Sequence, residues 1–435
     1  MRFGCEGGRR TGWWWGWGVV MLLIGCQVSP TNAPIPTLLA AASLPADVTP
    51  ILPPPTSQTL SGVPATFTPL PPSSPDSATS GQAIPLAPTN IPTPTPLLPS
   101  RTPSPTPTAT TAVLTPTLEA TPYVAFMPTL PPTDELGPSK LSIHVIRNND
   151  PAIMEFVRRA HPAVIKAVDD IGFLEEVKEV SPWTVTVARL NGPEHYGGDP
   201  EQAARDYVAR FLNQYLANPY VDYWEGWNEP DPNLENMYWY SQFEQERTRE
   251  MARYGLKVAI GGFSTGVPEI DEFTYFIGAI EVAMAHGGIL TLHEYGAPDM
   301  TFLFGSQLPG GYPRREDAGA LTFRYRYFYR DILEPLGLAI PLVISEAGVD
   351  GIIGNRPGPD GLGWADFQDF WVNQGWGIDG PSAFINQLAW YDAGVRQDGY
   401  VIGFTIFTAG AIGHWENYNI NPILPQLADY VISQQ

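Results

Sequence analysis

The sequence predicts an α/β fold, a closed (β/α)8 barrel, confined to residues 141–435 of a 435-residue chain. Three observations predict it. From Leu141 onward, apolar strand-like runs alternate with amphipathic helical stretches. Eight such units fit into about 290 residues, the ordinary size range of such a barrel. No Gly-rich phosphate loop follows the first run, which argues against an open doubly wound sheet.

The expected strands are Leu141–Ile146, Ala163–Val168, Thr184–Leu190, Val221–Trp227, Lys257–Gly262, Ile289–His293, Pro341–Ser345 and Val401–Phe407. The clearest helix is Pro200–Leu216, where Ala204, Tyr207, Val208, Phe211, Leu212 and Tyr215 recur at three- and four-residue spacing. Phe276, Ile277, Ile280 and Met284 repeat the pattern after the fifth strand. In barrels of this kind, chemistry is sought at the carboxyl ends of the strands.

The chain upstream reads differently. Residues 1–25 form an expected signal peptide: Arg2, Arg9 and Arg10 precede an apolar run from Trp13 to Ile24. That run is shorter than the about 20 residues a membrane-spanning helix needs. Residues 26–140 form an expected disordered Pro/Thr/Ser-rich linker. Of the 47 prolines, 28 fall between Gln27 and Lys140. Segments such as Pro92-Thr93-Pro94-Thr95-Pro96 lack the amide donors that helix or sheet requires. Such a chain makes a semi-rigid spacer, about 3 Å per residue where extended.

The net charge is −21, and 39 Asp plus Glu against 19 Lys plus Arg in residues 141–435 put −20 of it in the barrel segment. That surface repels phosphate backbones, so no nucleic-acid partner is expected. A neutral polysaccharide is compatible with it. The two cysteines, Cys5 and Cys26, both lie upstream, so residues 141–435 contain no disulfide and no thiolate metal site. The six histidines show no paired helical spacing of the zinc type, and no metal or cofactor is expected.

Two expected strand ends carry glutamates: Trp224-Glu225-Gly226-Trp227-Asn228-Glu229-Pro230 at the fourth and Ile344-Ser345-Glu346-Ala347 at the seventh. The fourth and seventh strands lie across a barrel from one another, so Glu229 and Glu346 can converge over its mouth. Two carboxyls are the minimum for glycoside cleavage, one protonated and one ionised. The sixth strand adds His293-Glu294-Tyr295, where alternation puts His293 and Tyr295 on one face and Glu294 on the other.

The Trp-Asn-Glu-Pro and Ser-Glu motifs, with His-x-Tyr between them, resemble clan A of the glycoside hydrolases, which includes family 5 and family 39 enzymes. The resemblance spans the strand framework from about residue 141 to 430. It implies a retaining double displacement, with Glu229 as acid/base, Glu346 as nucleophile and Asn228 on the sugar 2-hydroxyl. It further implies that Tyr295 holds Glu346 ionised and that His293 stands near Glu229. An acid that starts protonated carries a raised pKa, expected here for Glu229 because Glu346 is charged. At the second strand, where relatives have an arginine, this chain has Lys166, read either as a hydroxyl-binding group or as a partner of Asp169 or Asp170. At the eighth, where relatives have a tryptophan, Phe407 or Trp415 is expected under the sugar ring. Glu225, Glu294 and Asp231 are assigned supporting or surface roles. The aromatic-rich stretch from Val349 to Gly380 is read either as a wall or lid of the cleft or as a self-packed cluster.

Leu23-Ile24-Gly25-Cys26 resembles a bacterial lipobox, which implies cleavage before Cys26 and its acylation; the other readings are an ordinary signal peptide with an incidental cysteine and an uncleaved anchor helix. The expected protein is thus a monomeric, lipid-anchored or secreted polysaccharide hydrolase. The other reading is a catalytically inactive carbohydrate-binding surface lipoprotein on the same scaffold. Both place the barrel outside the cytoplasm.

Overall fold

The computed structural model describes residues 127–130 and 136–435. The signal peptide, Cys26 and nearly all of the expected linker lie outside the described residues. Among the described residues, no helix is long and apolar enough to cross a membrane.

Eight parallel strands close into a barrel in sequence order. The elements run β1 (Leu141–Val145), α1 (Pro151–Ala160), β2 (Val164–Val168), α2 (Leu174–Val180), β3 (Val185–Arg189), α3 (Pro200–Ala217), β4 (Tyr223–Glu225) and α4 (Leu234–Arg253). The second half runs β5 (Val258–Phe263), α5 (Ile270–Thr274), α6 (Ile277–Ala285), β6 (Ile289–Gly296), α7 (Tyr325–Phe328), α8 (Glu334–Leu336), β7 (Leu342–Val349), α9 (Gln368–Asn373), α10 (Gly380–Val395), β8 (Val401–Ala409) and α11 (Leu424–Ser433). The expected (β/α)8 barrel is the observed fold. The ring closes where β1 pairs with β8, Leu141 opposite Phe404 and Ser142 opposite Thr405.

Local chemistry explains the element boundaries. Helix α3 opens on Asp199, whose carboxylate accepts from the amides of Glu201 and Gln202, with Pro200 at the first helical position. Its buried positions, Ala204, Tyr207, Val208, Phe211 and Tyr215, are the periodic apolar face read from the sequence.

Inside the barrel, alternation along each strand builds layers. The lowest is apolar: Val164, Val187, Ala259, Ile289 and Val343 pack together. Two residues further along their strands come Lys166, Arg189, Thr291 and Ser345, all at least nine-tenths buried. The barrel therefore becomes polar toward its carboxyl end, and that polar end holds the site.

Three differences from the expected strands matter. Strand β4 is short, so Asn228 and Glu229 stand beyond its end. Strands β6 and β7 run on to Gly296 and Val349, so Glu346 sits within β7 and not past it. Finally, the packed unit begins upstream of residue 141. The Trp390 indole donates to the Pro128 carbonyl at 3.0 Å, and the Lys140 amide donates to Asp392 at 2.8 Å. Pro128 and Lys140 thus contact side chains of α10.

Candidate active site

Glu346 is held from two sides. The Lys166 ammonium donates to its Oε1 at 3.0 Å and the Tyr295 hydroxyl to its Oε2 at 2.8 Å. A register shift between Leu292 and His293 sets His293 opposite Glu346 across the β6–β7 pair. His293 Nδ1 lies 3.6 Å from Oε2, and His144 Nε2 on β1 lies 3.7 Å from Oε1. Burial opposes the Glu346 charge, but the surrounding positive groups, His293, Lys166 and Arg189 among them, outweigh it and hold the carboxyl well below the usual range. His144 is kept neutral: burial pulls its pKa down to about 3, while its Nδ1 shares a 2.8 Å hydrogen bond with the Thr408 hydroxyl.

Glu229 stands at the turn after β4. Its φ is +50°, a left-handed conformation uncommon outside glycine. The turn is pinned by its amide, which donates to the Gly262 carbonyl at 2.9 Å. Gly262 itself has φ +62°, and a Cβ there would lie 2.9 Å from the Trp227 carbonyl, so the close approach of β5 to this turn needs glycine. The Glu229 side chain is about a third exposed and takes a 2.8 Å hydrogen bond from His293 Nδ1.

The electrostatics of Glu229 reverse the expectation from the sequence. Burial pushes its carboxyl up, but the hydrogen bond and charge of His293 outweigh burial and bring it below the ordinary glutamate value. Glu346 also pushes it up, by less than His293 pulls it down. The expectation counted Glu346 as the ruling neighbour, whereas His293 is in direct contact.

Ligand atoms of Glu229, His293 and Glu346 all lie within 4.8 Å of one another. That spacing could hold a metal ion. However, Lys166, Tyr295 and His293 already bond these oxygens, and one of the three is a cation, so a metal would have to displace them.

The cleft above the pair has a volume of about 600 Å³, and Glu229, Glu346, Asn228, Tyr295, Phe407 and Trp415 all line it. Asn228 accepts from the Arg189 guanidinium at the end of β3, and its amide donates to Glu194 at 2.7 Å. Phe407 and Trp415 meet edge to face, with centroids 5.0 Å apart. Both candidates for the stacking floor are thus present as one corner. His293 contacts Glu229 from beneath and is 2% exposed.

Lys166 is a correction. It is fully buried, does not line the cleft, and pairs with neither Asp169 nor Asp170. Its ammonium lies between Glu346 and Glu225. A hydroxyl-binding role is excluded because no sugar can reach it. The 349–380 stretch also resolves. Trp364, Phe367, Trp371 and Trp376 are buried, and Trp364 and Trp371 stack on Phe384 of α10. It is a self-packed cluster, and only Asp350 and Ile352 from it reach the cleft. Glu294 faces outward from the barrel, accepting from Tyr391 and from the amides of Phe323 and Tyr325. Asp231 organises the surface turn before α4 through Asn233 and Asn236.

Sequence reasoning missed His144, Arg189 and Asp350. His144 carried a usable signal, since alternation along β1 turns it inward at the carboxyl end. Arg189 ends β3 by the same rule.

The fold and site together define a (β/α)8 barrel with two carboxylates facing each other across its C-terminal mouth. No protein-family model matches this chain, and no curated protein matches it. Among solved structures it is similar to an endo-β-1,4-glucanase from Xanthomonas axonopodis pv. citri, at 13% identity over 67% of this chain and 98% of that one, TM-score 0.36. It is also similar to a GH5 xyloglucan-specific endo-β-1,4-glucanase from a metagenomic library, at 14% identity, 66% and 88% coverage and TM-score 0.39. A third is an endo-β-1,4-mannanase from Thermotoga petrophila, at 10% identity, 68% and 77% coverage and TM-score 0.39. Likeness at this level carries no residue roles, so function has to be argued from the side chains.

Proposed function

We propose that this chain is a retaining glycoside hydrolase acting on polysaccharide or oligosaccharide outside the cytoplasm. The observation that carries the reading is the carboxylate pair. One oxygen each of Glu229 and Glu346 lie within 4.8 Å of each other, so the two carboxyls flank one small space, which supports the close pair that a retaining double displacement uses.

The two carboxyls have unequal surroundings, which suits unequal tasks. Glu346, ionised and fixed by Lys166 and Tyr295, attacks the anomeric carbon. The bond to the leaving oxygen breaks as Glu229 gives that oxygen a proton. His293 Nδ1 shares a 2.8 Å hydrogen bond with the Glu229 carboxyl and orients it toward the leaving oxygen. Glu229, ionised again, then takes a proton from water, and the water oxygen displaces Glu346 from the sugar. Phe407 and Trp415 offer ring faces to the sugar C–H face, and Asn228 offers an amide to a hydroxyl.

The acidic barrel, the lipobox-like Leu23 to Cys26 and the proline-rich stretch support a lipid-anchored enzyme held away from a membrane. The binding-only reading predicts carboxyls that are far apart or turned into the core. The observed pair supports hydrolysis over it.

The test is a screen of the purified protein against polysaccharides and aryl glycosides, with the anomeric form of the first product followed by NMR. Retention is expected. Inversion, or binding without cleavage of any substrate in the panel, overturns the reading.

A further inference from the structure

Lys166 is shared by two buried carboxylates, and only one of them reaches the cleft. Its ammonium is 3.0 Å from Glu346 Oε1 and 2.7 Å from Glu225 Oε2. Lys166 is 0% exposed and Glu225 2%. Lys166 bonds Glu225 at Oε2, and Glu225 Oε1 is buried without a hydrogen-bond partner among the described residues. Nothing in the cleft touches Glu225, and the double displacement as written gives it no task. A buried carboxylate with one oxygen unpartnered is costly to keep unless it neutralises something.

What it neutralises changes during the reaction. In the free site, Lys166 faces two negative charges. When Glu346 bonds to the anomeric carbon, its negative charge is lost as the leaving oxygen departs with a proton. Without Glu225, that step would strand the Lys166 ammonium, unpaired, inside the barrel. We propose that Glu225 is the standing counter-ion of Lys166, and that this buried pair sets the balance between forming and breaking the glycosyl–Glu346 ester. The inference rests on the double-displacement reading and goes beyond it by giving the interior of the barrel a kinetic role. Lys166 and Glu225 are positioning residues, since neither touches the sugar.

Other groups facing the pair do not replace it. Arg189 on β3 and His293 on β6 add positive charge near Glu225, and His144 on β1 is neutral. These surroundings, with Lys166, overcome burial and keep the Glu225 carboxyl down at about 2, so it is charged throughout the working pH range.

Opposite substitutions should act in opposite directions. In Glu225→Gln, forming the ester strands a positive charge, so formation slows and breakdown quickens. In Lys166→Met, measured on the pH plateau where Glu346 is ionised, forming the ester relieves repulsion between two carboxylates, so formation is favoured and breakdown slows. The two carboxylates touch one ammonium and lie within about 6 Å of each other. At an effective dielectric near 20, removing the Glu225 charge at that distance shifts the ratio of the two rate constants roughly 100-fold, or about tenfold on each step if shared equally, and removing the nearer Lys166 charge shifts it further in the opposite direction.

The experiment uses the full-length protein and a dinitrophenyl 2-deoxy-2-fluoro-glycoside of the sugar it is found to cleave. This leaving group needs no proton from Glu229. The rate of inactivation reads ester formation, and the rate of recovered activity after removing the reagent reads ester breakdown. Thermal melting of each variant identifies misfolding, and the Lys166→Met/Glu225→Gln double variant, free of any stranded charge, should return the ratio toward that of the unsubstituted protein. Opposite shifts in the single variants with restoration in the double support the inference. Equal slowing of both steps, or an unchanged ratio in folded variants, overturns it while leaving the double displacement standing. Turnover of the unsubstituted protein with no ester on Glu346 overturns both.

Discussion

Tyr295→Phe isolates one hydrogen bond. The hydroxyl sits 2.8 Å from Glu346 Oε2 in a buried contact, and phenylalanine keeps the ring that meets Phe407 edge to face. A hydrogen bond to a charged group is worth about 1.5–3 kcal/mol, and this one favours ionised Glu346 over its protonated form. At 1.36 kcal/mol per pKa unit, losing it should raise the Glu346 pKa by about 1–2 units. Glu346 lies well below the usual glutamate value. The acid limb of the pH–rate curve should therefore move toward neutrality by that amount in the variant. Stability gives a second readout. A depressed carboxyl stabilises the fold above its unfolded pKa, and that contribution is lost as pH falls through the folded pKa. The difference in melting temperature between the two proteins should thus be largest near neutral pH and shrink on acidification. An unmoved acid limb, together with a melting difference independent of pH, would refute the claim that Tyr295 keeps Glu346 charged.

Three further outcomes are expected. Glu346→Ala should abolish hydrolysis of every substrate, whereas Glu229→Ala should still release activated aryl leaving groups and then stall until azide replaces the activated water, as product analysis would show. Full activity of Glu229→Ala on unactivated polysaccharide would contradict its role. Trp371→Ala removes a fully buried ring whose indole donates to the Pro298 carbonyl at 2.8 Å; chemical denaturation should register a loss of about 3–5 kcal/mol. A rise in KM with unchanged stability would instead restore the lid reading of the 349–380 stretch. Cys26→Ser should move the protein out of the membrane fraction or leave it unprocessed, and undiminished radiolabelled fatty acid on the variant would count against lipid anchoring.

Tyr295 and Lys166 show where sequence reading succeeds and where it stops. Strict alternation along β6 placed His293 and Tyr295 on the inner face and Glu294 on the outer, and the structure keeps that order. Alternation is a local property of extended backbone, so it survives without knowledge of neighbours. The same rule turns Lys166 inward, but cannot say what it meets there. Its partners lie on β4 and β7, and which inward side chains share a level depends on how eight strands are staggered around the ring.

Glu229 carries the same lesson in its charge. The sequence identified the residue and a like-charged neighbour, from which a raised pKa followed. The folded chain brings the His293 imidazole into contact with it and reverses the direction. Electrostatic effects scale with ångström distances, and no motif encodes those.

By itself, then, the sequence determined the barrel, its eight strands, and the two glutamates at its mouth. These follow from residue periodicity and from the chain order of parallel strands, both of which are properties of the chain in one dimension. Only the tertiary structure decided that Lys166 is an interior counter-ion away from the cleft, that the tryptophans of 349–380 fill a core, and that contact with His293 brings the Glu229 carboxyl below its ordinary value. Each depends on which distant side chains share a dry space, and burial makes such neighbours count for more than the residues beside them in sequence.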